Sequence, residues 1–323
     1  MEGILAAVNS SVVSSLLPVV LLIAVGFLAG RMQWVGGAAV RDLSNLIFLL
    51  LAPALLFRAM STVQVQQLSL KPVAAYFVGA GLIFAATIAW RGFNRTSSVL
   101  ALANTYSNTT MIGIPIVSLA YGADGMVLLL TLISLHSLVL MTGATLLIEL
   151  AVAREQAATG QGEARSMLRT VGRALRNAIV HPVPLPIIAG LLFAQTGLVM
   201  PVVLDTPIQL LGQAFTPVAL VMVGITLALT RVGDHLRGAL QQVAIKNLVH
   251  PLLVFGVGWL IGVRGLPLAV MVVAGALPMG ANVFLFSQRY QTAEGLVTAS
   301  VVVSTGLGLL TVSLALALAN LLL

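Results

Sequence analysis

Asn104-Thr-Tyr-Ser-Asn108-Thr-Thr-Met-Ile-Gly113-Ile-Pro115 interrupts an apolar run from Ser97 to Tyr121. Gly275-Ala-Leu-Pro278-Met-Gly280-Ala-Asn282 interrupts a second, from Leu266 to Arg289. Each run is long enough to cross a bilayer, and each carries Asn, Gly and Pro near its centre. Those residues free backbone N–H and C=O groups that hydrocarbon cannot solvate. Each costs several kcal/mol unless protein or a water-filled cavity satisfies it. One Gly/Pro-interrupted span in each half of a chain marks the binding site of a transporter.

The composition fits that reading. Of 323 residues, 59% are hydrophobic and 8% are charged. A soluble domain carries about 25% charged residues, so this chain cannot cover a water-facing surface. At about 20 apolar residues per crossing, its length accommodates roughly ten helices. The net charge of +7 comes from basic residues spread over short loops, without a dense patch, and does not point to nucleic acid. With no cysteine, disulfides, thiolate metal sites and cysteine catalysis are excluded. The apolar stretch from Ile4 to Gly30 lacks a basic leader and a small-residue cleavage site, and is read as the first span.

The expected spans are 1 (9–30), 2 (39–60), 3 (71–91), 4 (97–121), 5 (124–149), 6 (179–198), 7 (205–229), 8 (240–263), 9 (267–289) and 10 (294–321). All-round apolarity marks them, not a one-sided stripe. The chain divides into a first five-helix repeat (1–150), a cytoplasmic linker (151–177) and a second repeat (178–323). Arg165, Arg169, Arg173 and Arg176 recur at helical spacing before span 6, compatible with a short surface helix or with a plain basic connector.

The loops on one side, or the helix ends beside them, hold Arg31, Arg41, Arg91, Arg95, Arg154, Arg165, Arg169, Arg173, Arg176, Arg231, Arg237 and Arg289. The opposite side has Arg58, Lys71 and Arg264. The heavier side is expected in the cytoplasm, with both termini outside. Five spans is an odd number, so the second repeat enters inverted. Leu17-Pro18 matches Leu185-Pro186, and Ala52-Pro53-Ala-Leu55 matches Thr216-Pro217-Val-Ala-Leu220. This is the inverted-repeat plan of many secondary transporters.

A broken span supplies a half-helix whose N-terminal end carries about half a positive charge and binds carboxylate or phosphate. Asn108, Thr109 and Thr110 sit where the second half of span 4 begins; Gly280, Ala281 and Asn282 hold the equivalent place in span 9. Two such ends facing each other make a polar cradle for a small anion, while the opposing carbonyl ends suit a cation. The expected substrate-binding residues are Asn104, Asn108, Thr109, Pro278, Gly280 and Asn282. Small residues elsewhere, such as Gly113 and Ser118, are read as helix-packing glue.

Ionisable residues within spans are the coupling or charge-balancing candidates. Asp42 begins span 2 and either couples transport or caps the helix. His136, near the middle of span 5, titrates near neutral pH when unperturbed, or is a neutral, hydrogen-bonded core residue. Lys246 lies one turn from His250 in span 8. It either balances an anionic substrate or snorkels to the interface, and snorkelling is the preferred reading. Glu149 and Arg154 mark the cytoplasmic end of span 5. No hydrolase elbow, zinc-binding His pair or Walker loop is present. No enzyme, metal or cofactor is expected.

Ser107-Asn108-Thr-Thr-Met-Ile-Gly113-Ile-Pro115, followed by Tyr121-Gly122, resembles the N-x-x-x-x-G-x-P segment of the auxin efflux carrier family. That family includes the plant PIN carriers and bacterial malate and malonate permeases. Ala276-Leu-Pro278-Met-Gly280, with Phe284, Phe286 and Tyr290 and then Ser300 and Ser304-Thr305, is similar to its second signature. Ala52-Pro53-Ala-Leu-Leu-Phe57 also fits, and the likeness spans essentially the whole chain.

The resemblance implies an all-α membrane protein of ten transmembrane helices, built as two inverted five-helix repeats. Helices 4 and 9 cross at their breaks near Asn108, Pro278 and Asn282, and an elevator-like movement of the crossing unit carries an organic anion. Ser107 stands where the plant carriers have proline, and their long cytoplasmic domain is absent. Both departures favour a bacterial carboxylate carrier of the inner (plasma) membrane, for a dicarboxylate such as malonate or malate. An auxin-like aromatic acid is the alternative substrate; a channel or membrane-embedded sensor is the alternative class. The expected partners are the anion and the lipid bilayer, with H+ or Na+ as coupling ion and a homodimer left open. The related sodium/bile-acid symporters share the plan.

Overall fold

The computed structural model describes residues 11–62, 69–159, 184–229 and 233–319. Most of the predicted linker, including its arginine run, lies outside them. Among the described residues no strand forms, and every regular element is helical. The chain is therefore a multi-pass membrane protein, all-helical among the described residues, which include six helices long and apolar enough to cross a bilayer.

The helices are α1 (Ser11–Arg31), α2 (Gly37–Met60), α3 (Leu70–Arg91), α4 (Arg95–Ala103), α5 (109–121) and α6 (123–159). They continue with α7 (Pro184–Gln195), α8 (Val202–Leu229), α9 (Leu236–Leu260), α10 (Gly265–Ala276), α11 (Asn282–Arg289) and α12 (Glu294–Ala319). Spans 4 and 9 are each split, into α4/α5 and α10/α11. The backbone runs on from α5 into α6, but Gly122 adopts φ 59° and ψ −148°, so the two are separate rods. A straight helix over Thr109–Val152 would measure about 66 Å, twice the hydrocarbon thickness. Glycine accepts the positive φ that relieves this.

Three prolines shape the long helices in the same way. Pro53, Pro115 and Pro251 each follow a π-helical turn, Ile47–Leu51, Thr109–Gly113 and Ile245–Val249. Proline offers no N–H and its ring crowds the carbonyl four residues back. The ladder yields by shifting to i→i+5 bonds for one turn.

Packing divides into two groups. In the first, α1 lies on α8, α7 on the second half of α2, and α2 on α8. In the second, α3 and α10 pack on α9, and α12 packs on α9 and α10; the run 114–159, from α5 into α6, touches both groups. In the first group the backbones nearly touch. A Cβ on Gly26 would collide with the Val221 carbonyl, and one on Gly224 with the Ile23 carbonyl. Lipid offers no hydrophobic drive between helices, so such small-residue contacts carry the association. In the second group the half-helices are the core: all residues from Leu268 to Ala276 and from Ser97 to Ala103 are buried.

Gly224→Ala should therefore lower thermal stability in detergent by about 1–3 kcal/mol, the usual cost of overpacking. Gly143→Ala, with open space around it, should be neutral or stabilising. Equal melting of the two variants would contradict this packing.

Candidate functional site

Both interruptions leave the helix as short extended segments, and these segments pair. The Asn108 N–H donates to the Pro278 carbonyl at 2.8 Å, and the Gly280 N–H donates to the Tyr106 carbonyl at 2.9 Å. These bonds bracket an antiparallel bridge between Ser107 and Met279. Pro278 sets the geometry. It lacks an N–H to satisfy, and it holds Leu277 extended at φ −56° and ψ 146°. Gly280 permits the approach, since a Cβ there would strike the Tyr106 ring.

Side chains close most of what remains. The Met279 N–H donates to Ser304 Oγ at 2.9 Å, and Ser304 Oγ donates to Asn247 Oδ1 at 2.8 Å. Lys246 Nζ donates to the carbonyls of Gly275 and Leu277, both at 2.7 Å. At the end of α4, Thr105 Oγ1 donates to the Ala101 carbonyl at 2.9 Å. Tyr76 OH lies 2.9 Å from Ser107 Oγ, 3.0 Å from His136 Nε2 and 3.3 Å from the Thr105 carbonyl. Its single proton serves one of these at a time. The His136 ring packs against Tyr106, with centroids 4.5 Å apart.

The register places each helix end. Asn108, at the start of α5, is bonded beside the end of α10, and Gly280, just before α11, is bonded beside the end of α4. The expected arrangement had the two N-terminal ends facing each other. Instead, each positive end adjoins the carbonyl end of the opposite first half, which favours opposite partial charges. Asn108 caps α5, its Oδ1 accepting the Met111 N–H at 3.2 Å. Asn282 Nδ2 donates to Tyr106 OH at 2.9 Å. Asn108, Thr110 and Asn282 are only half-buried and Ala281 is exposed, whereas Thr105, Ser107, Thr109, Pro278 and Gly280 are buried.

Of the predicted site residues, Asn108, Thr109, Pro278, Gly280 and Asn282 meet at this crossing. Asn104 is adjacent but buried; its Nδ2 donates to Thr87 Oγ1 at 3.3 Å and its Oδ1 has no partner among the described residues. His136 joins through Tyr76 and Tyr106. Lys246 does not snorkel: it is fully buried, and the two freed carbonyls hold its ammonium at the crossing. Asp42 neither caps nor belongs to the site. Its helix starts at Gly37 with Gly36 as N-cap, and Asp42 is exposed five residues in. Sequence reasoning passed over Tyr76, Tyr106 and Asn247. Tyr76, a hydroxyl amid the apolar span 3, was a usable signal; Asn247, beside Lys246, was another. Buried His250, whose ring lies 5.0 Å from Tyr76, has no hydrogen-bond partner among the described residues.

Paired breaks inside an all-helical membrane protein define a broken-helix membrane protein of the kind transporters use. The family described as "Membrane transport protein" matches residues 11–316, and the chain belongs to it, the family of the auxin efflux carriers. A Rhizobium meliloti protein named "Putative malonate transporter" is 28% identical over 305 residues, covering 92% of each chain. Auxin efflux carrier component 6 of Arabidopsis thaliana is 28% identical over 141 residues, 43% of this chain and 25% of its own length. An "Uncharacterized transporter" of Methanothermobacter thermautotrophicus is 21% identical, covering 93% of this chain and 96% of its own. The protein is a transport protein, not an enzyme.

Ser304→Ala leaves the buried Met279 N–H and Asn247 Oδ1 without their hydroxyl partner. It should cost about 1–3 kcal/mol, read as a lower unfolding temperature of the purified protein. Thr298→Ala, which removes an exposed hydroxyl bonded within α12, serves as the control and should leave the unfolding temperature unchanged.

Proposed function

We propose that this protein is a secondary active transporter of a small organic anion, a dicarboxylate such as malonate or malate. The observation that carries the reading is the pairing of two interrupted helices, with half-buried Asn108 and Asn282 at the starts of the second halves. Each such end carries a partial positive charge and an amide side chain, which together suit a carboxylate. The full-length likeness to the Rhizobium meliloti protein supports this class over aromatic acids, for which the matched relatives align over less than half of this chain.

The ten-helix inverted-repeat plan, with repeats at 1–150 and 178–323 joined by 151–177, is part of the proposal. The packing supports it. If spans 1 and 6 are equivalent, and likewise spans 2 and 7, then the α1–α8 and α2–α7 contacts are one contact seen twice. The contact of α3 with α9 and the paired breaks map onto themselves. The two packing groups suit an elevator. The glycine-tight group of α1, α2, α7 and α8 forms the frame, and the group around the crossing is the moving part. The arginine bias puts both termini outside the cytoplasm of a bacterial inner membrane. A proton or sodium gradient drives accumulation, and a homodimer is the proposed assembly.

The test is uptake into proteoliposomes of labelled malonate, malate and indole-3-acetate under imposed proton or sodium gradients. Uphill accumulation of a dicarboxylate is expected; equilibration without accumulation would instead indicate a channel. Asn108→Ala removes a cap worth about 1 kcal/mol, so it and Asn282→Ala should insert and fold yet lose transport. Near-normal uptake by both variants would remove the site assignment.

A further inference from the structure

The two first-half helices end in the same predicament and solve it differently. At the end of α4, hydroxyls close the carbonyls: Thr105 Oγ1 donates to Ala101 and Leu102, and Tyr76 OH reaches the Thr105 carbonyl. At the end of α10 an ammonium does so, with Lys246 Nζ 2.7 Å from the carbonyls of both Gly275 and Leu277. Lys246 is fully buried. Among the described residues the one ion pair is Arg58 with Asp205, so no carboxylate lies within 4.0 Å of the ammonium. What faces its charge is the carbonyl end of a helix, carrying about half a negative charge. A ring of freed backbone carbonyls is also how broken membrane helices hold an inorganic cation.

We propose that the Lys246 ammonium is a tethered monovalent cation. It takes the place at the end of α10 that an alkali-metal ion would occupy in a sodium-coupled carrier, and it makes the crossing independent of sodium. The π turn Ile245–Val249 carries Lys246, and the flexible four-carbon stem delivers a compact charge with three donors. Two of those donors are spent on the backbone. The third leaves room for a change of partner as the carrier moves. This inference deepens the transport reading and rests on it for the uptake measurement alone.

The experiment compares wild type, Lys246→Ala and Lys246→Gln as full-length protein in sodium, potassium, choline and methylammonium chlorides. In thermal unfolding, wild type should melt at one temperature in all four salts. Lys246→Ala should melt lower in choline and regain about 2–4 °C in sodium or methylammonium, as expected for a ligand of the folded state. In malonate uptake under a proton gradient, replacing sodium by choline should leave wild type unchanged. Lys246→Ala should lose roughly ten- to a hundredfold in choline, the range for lost charged hydrogen bonds, and recover in part with methylammonium. Lys246→Gln keeps a neutral donor and fills the space, so it should show the loss without the recovery; it also carries the comparison if Lys246→Ala does not fold.

The proposal is overturned if wild-type stability or uptake rises with sodium, if Lys246→Gln behaves as wild type in choline, or if no cation restores Lys246→Ala. Absence of malonate uptake by wild type, with methylammonium still stabilising Lys246→Ala, would sink the substrate reading and leave the tethered cation standing.

Discussion

Two breaks in the backbone, set where lipid can satisfy nothing, impose the constraint on which this structure depends. Neither could persist alone. The Pro278 and Tyr106 carbonyls and the Asn108 and Gly280 N–H groups find each other across the chain, and so each break makes the other tolerable. This one pairing couples residues some 170 positions apart by index. It also fixes which helix ends adjoin, and it requires the surrounding helices to bring Ser304, Lys246, Thr105 and Tyr76 to the groups that remain.

The same arrangement suits movement. A paired pair of breaks is a compact polar unit held by few bonds, enclosed by α3, α6, α9 and α12. The frame of α1, α2, α7 and α8 is joined instead by backbone-to-backbone contact at Gly26 and Gly224, which resists sliding within it. A carrier needs that contrast, one rigid body against which another can shift. Asn108 and Asn282 are partly exposed, so beside a buried network the crossing keeps some open polar surface.

Much of this was legible in the residues. Gly, Pro and Asn clustered inside apolar runs announced the breaks, because each weakens a helix for a stated reason. Apolar length pointed to membrane-crossing helices, and six among the described residues are long and apolar enough to cross a bilayer. The partners of the breaks were harder to read. Tyr76 and Asn247 stand out locally as polar groups in apolar spans, but their partners lie in distant segments, and local sequence does not name those partners. Lys246 looked like a snorkelling side chain because its stem is long, and only the freed carbonyls of Gly275 and Leu277 explain why it stays inside. Asp42 does not cap its helix because the helix begins earlier than the apolar run, at Gly36-Gly37. Ser107 is held at the break by its bond with Tyr76 and the bridge to Met279.

The bridge itself can be trapped. In an antiparallel pair flanked by hydrogen bonds, as Ser107 and Met279 are, the Cα atoms lie about 4.5 Å apart, within the roughly 4.4–6.8 Å span of disulfides. The chain has no cysteine of its own, so Ser107→Cys with Met279→Cys is a clean reporter. A protease site inserted between residues 160 and 177 allows the halves to be separated on a gel. After mild oxidation in membranes the cleaved double variant should run as one species and fall apart on reduction, while either single variant separates at once. Halves of the double variant that separate without reduction would mean that the breaks do not meet, and the account would fall with them.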